Sequence, residues 1–146
     1  MRARRGRPVS RLLIDTSAYY ALADPTDTHH EVASTIIRRL AAASVRLFTT
    51  NFLLAETHAL ILVRRGRAPA LRALQEIERS STTIVRVSVD DERRARAIVE
   101  QYEDKNFSLT DATSFAVMER LGITAAFTFD HNFTQYGLTV VTPDQL

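Results

Sequence analysis

Four carboxylic acids stand where the neighbouring residues predict burial, and their chemistry suits a bound cation. Asp15 and Asp130 each follow an apolar segment with the composition of a buried strand, and Asp111 begins a helix. Glu56 lies among apolar residues on another helix. An unpaired carboxylate near a core costs several kcal/mol, so the pattern predicts that a positive group gathers these acids.

Helical spacing gives Glu56 its expected orientation. It lies four residues after Phe52, three before Ala59 and seven before Val63. Residues at these intervals share one face of a helix. We therefore expect the Glu56 carboxylate to point toward the sheet.

Asp111 aligns in the same way with Phe115 and Met118, but it has a structural explanation as well. Ser108 precedes it by three residues, as in a capping box, and an acid in the first turn favours the helix dipole. The other two aspartates could likewise be ordinary turn or capping residues. Capping and catalysis both remain open for all three.

Oxygen ligands alone favour a hard cation, Mg²⁺ or Mn²⁺, over zinc. A cation of this kind can polarise a phosphodiester, lower the pKa of a bound water and stabilise the leaving oxygen. Hydrolysis of a nucleic-acid backbone is the reaction expected from such a site. The histidines lack the spacing of a ligand set, so we interpret them as surface or packing residues: His29, His30, His58 and His131.

Apolar strand-like segments alternate with helical patterns along the chain, which predicts a mainly parallel sheet of about five strands between two helical layers. The acids that follow strands would then meet beyond the carboxyl ends of those strands. The predicted strands are Leu12–Ile14, Val45–Thr49, Ile84–Val87, Ala125–Phe129 and Leu138–Val141. The predicted helices are Ala18–Ala23 (capped by Ser17), His30–Ala43, Phe52–Val63, Ala68–Arg79, Asp90–Tyr102 and Thr110–Leu121.

Length and composition set the limits of this interpretation. The chain has 146 residues, 45% of them hydrophobic, which suits one domain. We expect a basic arm over residues 1–10, which carries four arginines, and the folded domain over 11–146. Cysteine is absent, so disulfides and thiolate metal sites are excluded. Asp15 interrupts the only signal-like start and no apolar run could span a bilayer, so we expect a cytoplasmic protein without a membrane partner.

The four acids lie in segments that resemble the motifs of PIN-domain ribonucleases, and among them the VapC-like toxins of toxin–antitoxin pairs. The resemblance covers nearly the whole chain and leaves out only the arginine-rich start. Each motif alone is weak, but four in the right order are specific. The matching segments are Leu13–Ser17, Thr49–Glu56, Phe107–Phe115 and Phe127–Phe133.

This resemblance implies a three-layer α/β/α PIN fold and a Mg²⁺- or Mn²⁺-dependent endoribonuclease that leaves a 5′-phosphate and a 3′-hydroxyl. It implies that Asp15, Glu56, Asp111 and Asp130 hold the metal, with Asp15 and Asp111 as the principal ligands. Many relatives carry a further aspartate in the third motif, where this chain has Ser114 and Phe115.

The resemblance also implies supporting residues and partners. The Ser17 hydroxyl would hold Asp15 or a metal-bound water, and Thr16, Asn51 and Thr110 would donate hydrogen bonds around the ligands. Helix capping is the alternative for each of these residues. The implied partners are an RNA substrate, a cognate VapB-like antitoxin that lies over the acidic site, and a second copy of the chain in a homodimer.

Two other functions compete with the nuclease. A phosphatase usually has a second aspartate where this chain has Ser17, and a phosphoacceptor domain has a lysine after a late strand, whereas the single lysine, Lys105, precedes a helix. A catalytically inactive PIN-like module that binds RNA or protein is the other alternative. Retention of all four acids argues against it, and a cleavage assay separates the two.

Overall fold

The computed structural model describes residues 8–146, in which short strands alternate with helices. Residues 1–7, most of the predicted arm, lie outside the described residues. The strands are β1 (Arg11–Ile14), β2 (Arg46–Thr50), β3 (Thr83–Val85), β4 (Ala125–Phe127) and β5 (Thr139–Val140). The helices are α1 (Thr16–Ala23), α2 (His30–Ala42), α3 (Asn51–Arg65), α4 (Arg67–Arg79), α5 (Val89–Gln101), α6 (Leu109–Leu121) and α7 (Asn132–Tyr136), followed by a 3₁₀ turn at Pro143–Gln145.

All strand pairs are parallel, and the order across the sheet is β3-β2-β1-β4-β5. The predicted α/β fold with a parallel five-stranded sheet is therefore confirmed. From β1 the chain proceeds to β2 on one side, whereas from β4 it proceeds to β5 on the other. The crevice between the carboxyl ends of β1 and β4 is thus the switch point where open parallel sheets bind ligands.

The two faces of the sheet bury separate apolar clusters. Leu12 and Ile14 of β1 pack on the side of α1 and α2, whereas Leu13 packs on the side of α5 and α6. This alternation is the period of two expected of a strand. Buried side chains on both faces explain why β1 reads as a continuous apolar run.

Several predicted boundaries differ from the structure for identifiable reasons. Asp15, rather than Ser17, is the N-cap of α1, and its side chain accepts a hydrogen bond from the Ser17 N–H. The strand predicted to reach Phe129 ends at Phe127, because the amide of Phe129 donates to the Ser17 hydroxyl instead of to a strand. Helix α7 and the 3₁₀ turn were not predicted, since both are too short to show a helical period.

Within residues 8–146, none of the helices is both long and apolar enough to cross a membrane.

Candidate active site

Asp15 lies at the carboxyl end of β1, where its own amide donates to the carbonyl of Phe127 at 3.0 Å. Its side chain is almost fully buried. The oxygen Oδ2 accepts hydrogen bonds from the Ser17 hydroxyl at 2.8 Å, the Thr128 hydroxyl at 2.9 Å and the Ser17 amide at 3.3 Å. Within the described residues, Oδ1 accepts none. One oxygen is fixed and the other is available to a ligand.

The surroundings of Asp15 disfavour its charged form. Burial raises the pKa of Asp15 to about 6, and the negative charge of Asp111 raises it further, while the bonds from Ser17 and Thr128 oppose the rise. No cationic side chain within residues 8–146 pairs with Asp15, which matches the expectation that a positive ligand completes the site.

Asp111 occupies the first turn of α6, where the capping box with Ser108 is formed in both directions. Its Oδ2 accepts from the Ser108 amide at 3.2 Å and from Nδ2 of Asn132 at 3.0 Å. Partial burial and the charge of Asp130 raise the pKa of Asp111. Capping therefore occupies one oxygen, and Oδ1 accepts no hydrogen bond from residues 8–146.

Asp130 lies beyond β4 and is half-buried. Its Oδ1 accepts from the Asn132 amide at 2.9 Å, and its own amide donates to the Thr128 hydroxyl at 2.9 Å. Asn132 therefore bonds to both Asp111 and Asp130. Each of the three aspartates has one oxygen held by the protein and a second that no donor in the described chain occupies.

Asp91 shows what a buried carboxylate looks like when its role is structural. Oδ1 and Oδ2 accept from Nε and Nη2 of Arg120, both at 2.8 Å, and this guanidinium is the main cause of the lowered pKa of Asp91. Asp15 and Asp111 have raised pKa values, and neither forms such an ion pair with a residue of the described range 8–146. The contrast distinguishes the ion-paired Asp91 from the two aspartates whose charged form is disfavoured.

Glu56 does not have the predicted orientation. Its side chain is exposed, as are Ala59 and Val63, so the stripe on which it was aligned faces solvent. Helix α3 instead buries Leu53, Thr57 and Ile61. Apolar residues occur on several sides of this helix, and its packing against α1, α4 and α6 selects the buried stripe.

The predicted supporting residues occupy different places. Ser17 donates its hydroxyl to Asp15. Thr16 is buried and bonds to α3, with its hydroxyl 3.5 Å from the Leu53 carbonyl, and Asn51 accepts from the Val87 amide at 2.9 Å. These bonds join elements of the fold without touching an aspartate. Thr110 is half-buried in the first turn of α6, and its carbonyl accepts from the Ser114 hydroxyl.

Two residues that hold the aspartates were not singled out from the sequence, namely Thr128 and Asn132. Of the two, Thr128 could have been recognised from the sequence, because its hydroxyl side chain directly follows the buried strand β4. Its partner Asp15 is 113 positions away, so the bond follows only from the adjacency of β1 and β4. Asn132 carried no signal beyond its place two residues after Asp130.

The three aspartates are related in pairs rather than gathered into one group. No set of three or more acidic or histidine side chains within residues 8–146 converges at metal-binding separations. The charge of Asp111 contributes to the raised pKa of Asp15, and the charge of Asp130 contributes to the raised pKa of Asp111. Magnesium is typically bound by one or two carboxylates and keeps several waters, which this arrangement satisfies.

Comparison with known proteins points in the same direction. Residues 12–138 match the PIN domain family. The chain is 32% identical over 133 residues to the 23S rRNA-specific endonuclease VapC20 of Mycobacterium tuberculosis, covering 91% of this chain and 99% of that protein. It is 30% identical over 125 residues to a VapC ribonuclease of Archaeoglobus fulgidus, covering 84% and 78%.

Solved structures resemble the fold described above. The crystal structure of M. tuberculosis VapC20, described as a sarcin–ricin loop cleaving toxin, superposes with a TM-score of 0.82 over 90% of this chain and 99% of that one. FitAcB from Neisseria gonorrhoeae superposes with a TM-score of 0.66 at 14% identity, over 92% and 99%, and shows a shared fold alone.

Proposed function

The chain is a VapC-like member of the PIN-domain family, and we propose that it is a divalent-metal-dependent endoribonuclease acting as the toxin of a toxin–antitoxin pair. The enzyme class, a nuclease that hydrolyses phosphodiester bonds, follows from the family and from the names of its relatives. One observation supports the site assignment most strongly. Near the β1–β4 switch point, Thr128 bonds to Asp15 and Asp130, Asn132 bonds to Asp130 and Asp111, and each aspartate keeps one oxygen outside this hydrogen-bond network.

These oxygens are the ligands that we assign to Mg²⁺ or Mn²⁺. A bound ion would polarise the scissile phosphate and lower the pKa of the attacking water. Ser17 and Thr128 fix the orientation of Asp15, and Asn132 fixes Asp111 relative to Asp130. Glu56 remains a proposed ligand on the family resemblance alone, because its side chain is exposed on α3.

The relatives suggest which RNA to test first. VapC20 is named for 23S rRNA and for cleavage of the sarcin–ricin loop. For this chain we propose a structured RNA in which the cleaved bond lies in a loop, because unpaired nucleotides expose both phosphates and bases. A VapB-like antitoxin and a homodimer complete the proposal, on the family resemblance.

The test is cleavage of a panel of RNAs that includes a 23S rRNA stem-loop, in Mg²⁺, Mn²⁺ or EDTA, by wild-type protein and Asp15→Asn. The variant should lose at least about 100-fold in rate, since metal stabilisation of the transition state is worth several kcal/mol. Asp104→Asn, which neutralises an exposed carboxylate, is the matched control and should cut normally.

Equal cutting by wild-type protein and Asp15→Asn would overturn the site assignment. Cutting that survives EDTA would overturn the metal dependence. If no RNA were cut although Mg²⁺ or Mn²⁺ bound, the protein would be the inactive binding module instead.

A further inference from the structure

A stacked pair of rings stands beside the three aspartates and has no part in holding them. The imidazole of His29 lies over the ring of Phe129, with centroids 4.3 Å apart and planes inclined by 11°. Phe129 immediately precedes Asp130, and its amide donates to the Ser17 hydroxyl that holds Asp15. The pair is thus linked by the backbone to the proposed site of reaction.

The inner ring of the pair rests on the core. Phe127, which is fully buried, meets Phe129 edge-on with centroids 6.0 Å apart. Phe129 itself is half-buried against the apolar cluster formed with α1 and α2. These contacts support one side of the Phe129 ring, and His29 packs on its flat face.

The outer ring is held by the loop between α1 and α2. Asp24 accepts hydrogen bonds from the amide and hydroxyl of Thr26 at 2.9 and 2.7 Å, and from the Tyr20 hydroxyl at 2.8 Å. Asp27 in turn accepts from the His29 amide at 2.9 Å. His29 is therefore placed by its backbone, and its side chain makes no capping bond to α2.

His29 is exposed although Phe129 covers one face of its ring. A flat, supported ring with open surface is the arrangement on which nucleobases stack in proteins that bind single-stranded RNA. A base in a duplex already has neighbours on both faces, so the ligand that fits is an unpaired one. Phosphate contacts alone would not require a second ring beneath the first.

We propose that His29, supported by Phe129, is a stacking site for one unpaired nucleobase next to the phosphodiester that the aspartates address. The proposal rests on the nuclease function proposed above and assigns the flanking base a binding site of its own. One stacked base contributes to affinity by an amount that corresponds to a change of roughly 5- to 150-fold in the dissociation constant.

Binding in EDTA tests the site without requiring cleavage. The fluorescence anisotropy of a labelled RNA loop should show about tenfold weaker binding to His29→Ala than to wild-type protein, within the range for one stacked base. His29→Phe, which keeps a flat ring without nitrogens, should bind like wild type. His131→Ala is the matched comparison, because it removes an exposed imidazole on the other side of Asp130 that stacks on no ring in the described chain.

Abasic substitution, one nucleotide at a time, then identifies the stacked base. At one position, removal of the base should weaken wild-type binding about tenfold and leave His29→Ala unchanged. In the metal-dependent assay, His29→Ala should raise KM with little change in kcat.

The results separate the two proposals. RNA that binds with His29-dependent stacking but is never cut would overturn the nuclease function and support the stacking site. Normal cleavage with unchanged RNA affinity in His29→Ala would overturn the stacking site and leave the nuclease function supported. Loss of affinity in both His29→Ala and His29→Phe, no coupled abasic position, or no RNA binding at all would overturn the stacking site.

Discussion

The pKa values of Asp15 and Asp111 are raised, whereas that of the ion-paired Asp91 is lowered, and the difference has a thermodynamic consequence. The pKa of Asp15 in the folded protein is about 6, against an ordinary value of 3.8. Between these values the folded state binds more protons than the unfolded state, so stability falls as the pH rises. Above about pH 6 the ionised side chain costs about 2–3 kcal/mol in the absence of a cation.

Asp15→Asn should therefore stabilise the metal-free protein. The amide is neutral at every pH, and its oxygen can still accept from Ser17 and Thr128. In EDTA, the free energy of unfolding of the variant should exceed that of wild type by about 1–2 kcal/mol at pH 8, with part of the benefit lost to imperfect packing of the amide nitrogen. The difference should shrink as the pH falls from 6 toward 4.

Urea denaturation of both proteins at pH 4, 5, 6 and 8 measures this difference. Asp104→Asn, at an exposed position, controls for the change in net charge and should show no such pH dependence. A variant less stable than wild type at pH 8 would contradict the picture of Asp15 as a destabilising, unpaired charge.

At the scale of elements, α5 and α6 are joined by two ion pairs, Arg94 with Glu119 on the surface and Arg120 with the buried carboxylate of Asp91. Asp91 completes the capping box of α5 with Ser88, and its two oxygens also accept from Arg120 near the end of α6. Since Asp111 lies in the first turn of α6, the packing of α6 against α5 helps to set the position of this proposed ligand.

Asp91→Ala should destabilise the protein by about 1–2 kcal/mol, because it leaves the Ser88 amide and the exposed Arg120 guanidinium without their acceptor. Its neighbour provides the control. Asp90 is exposed and pairs only with Arg93 on the surface, so Asp90→Ala should cost less than about 1 kcal/mol. Thermal or urea unfolding measures the stability of both variants. Similar losses of stability in Asp91→Ala and Asp90→Ala would refute the role of Asp91 in joining α5 to α6.

How far the sequence predicts these elements depends on how local the deciding interaction is. The buried strands and the aspartates that follow them are visible because apolar runs and their ends are local features. The orientation of the Glu56 side chain could not be predicted in this way. Apolar residues lie on more than one side of α3, and contacts with three other helices determine which side is buried. The bonds from Thr128 to Asp15 and from Asn132 to Asp111 depend on pairing across the sheet and on the packing of α7.

At the scale of the whole molecule, the apolar clusters of the fold and the carboxylates of the candidate site have opposite effects on stability. The fold buries the carboxylates of Asp15 and Asp111, and this burial, with a smaller contribution from like-charge repulsion, lowers the stability that the two apolar clusters supply. A cation that binds only the folded state reverses this effect by mass action. Under the proposed function, metal binding and folding are coupled through these side chains.

This coupling predicts that added metal brings wild-type protein and Asp15→Asn closer in stability. At a free Mg²⁺ or Mn²⁺ concentration of ten times its dissociation constant, wild type should gain about 1.4 kcal/mol, or about 3–6 °C in Tm for a chain of this size. Asp15→Asn should gain much less, because it lacks a principal ligand. Its advantage in EDTA should then diminish or vanish. Differential scanning calorimetry in EDTA and in metal, with NaCl matched for ionic strength, measures both shifts. Equal gains in the two proteins would mean that the ion binds elsewhere and that the three aspartates are not its site.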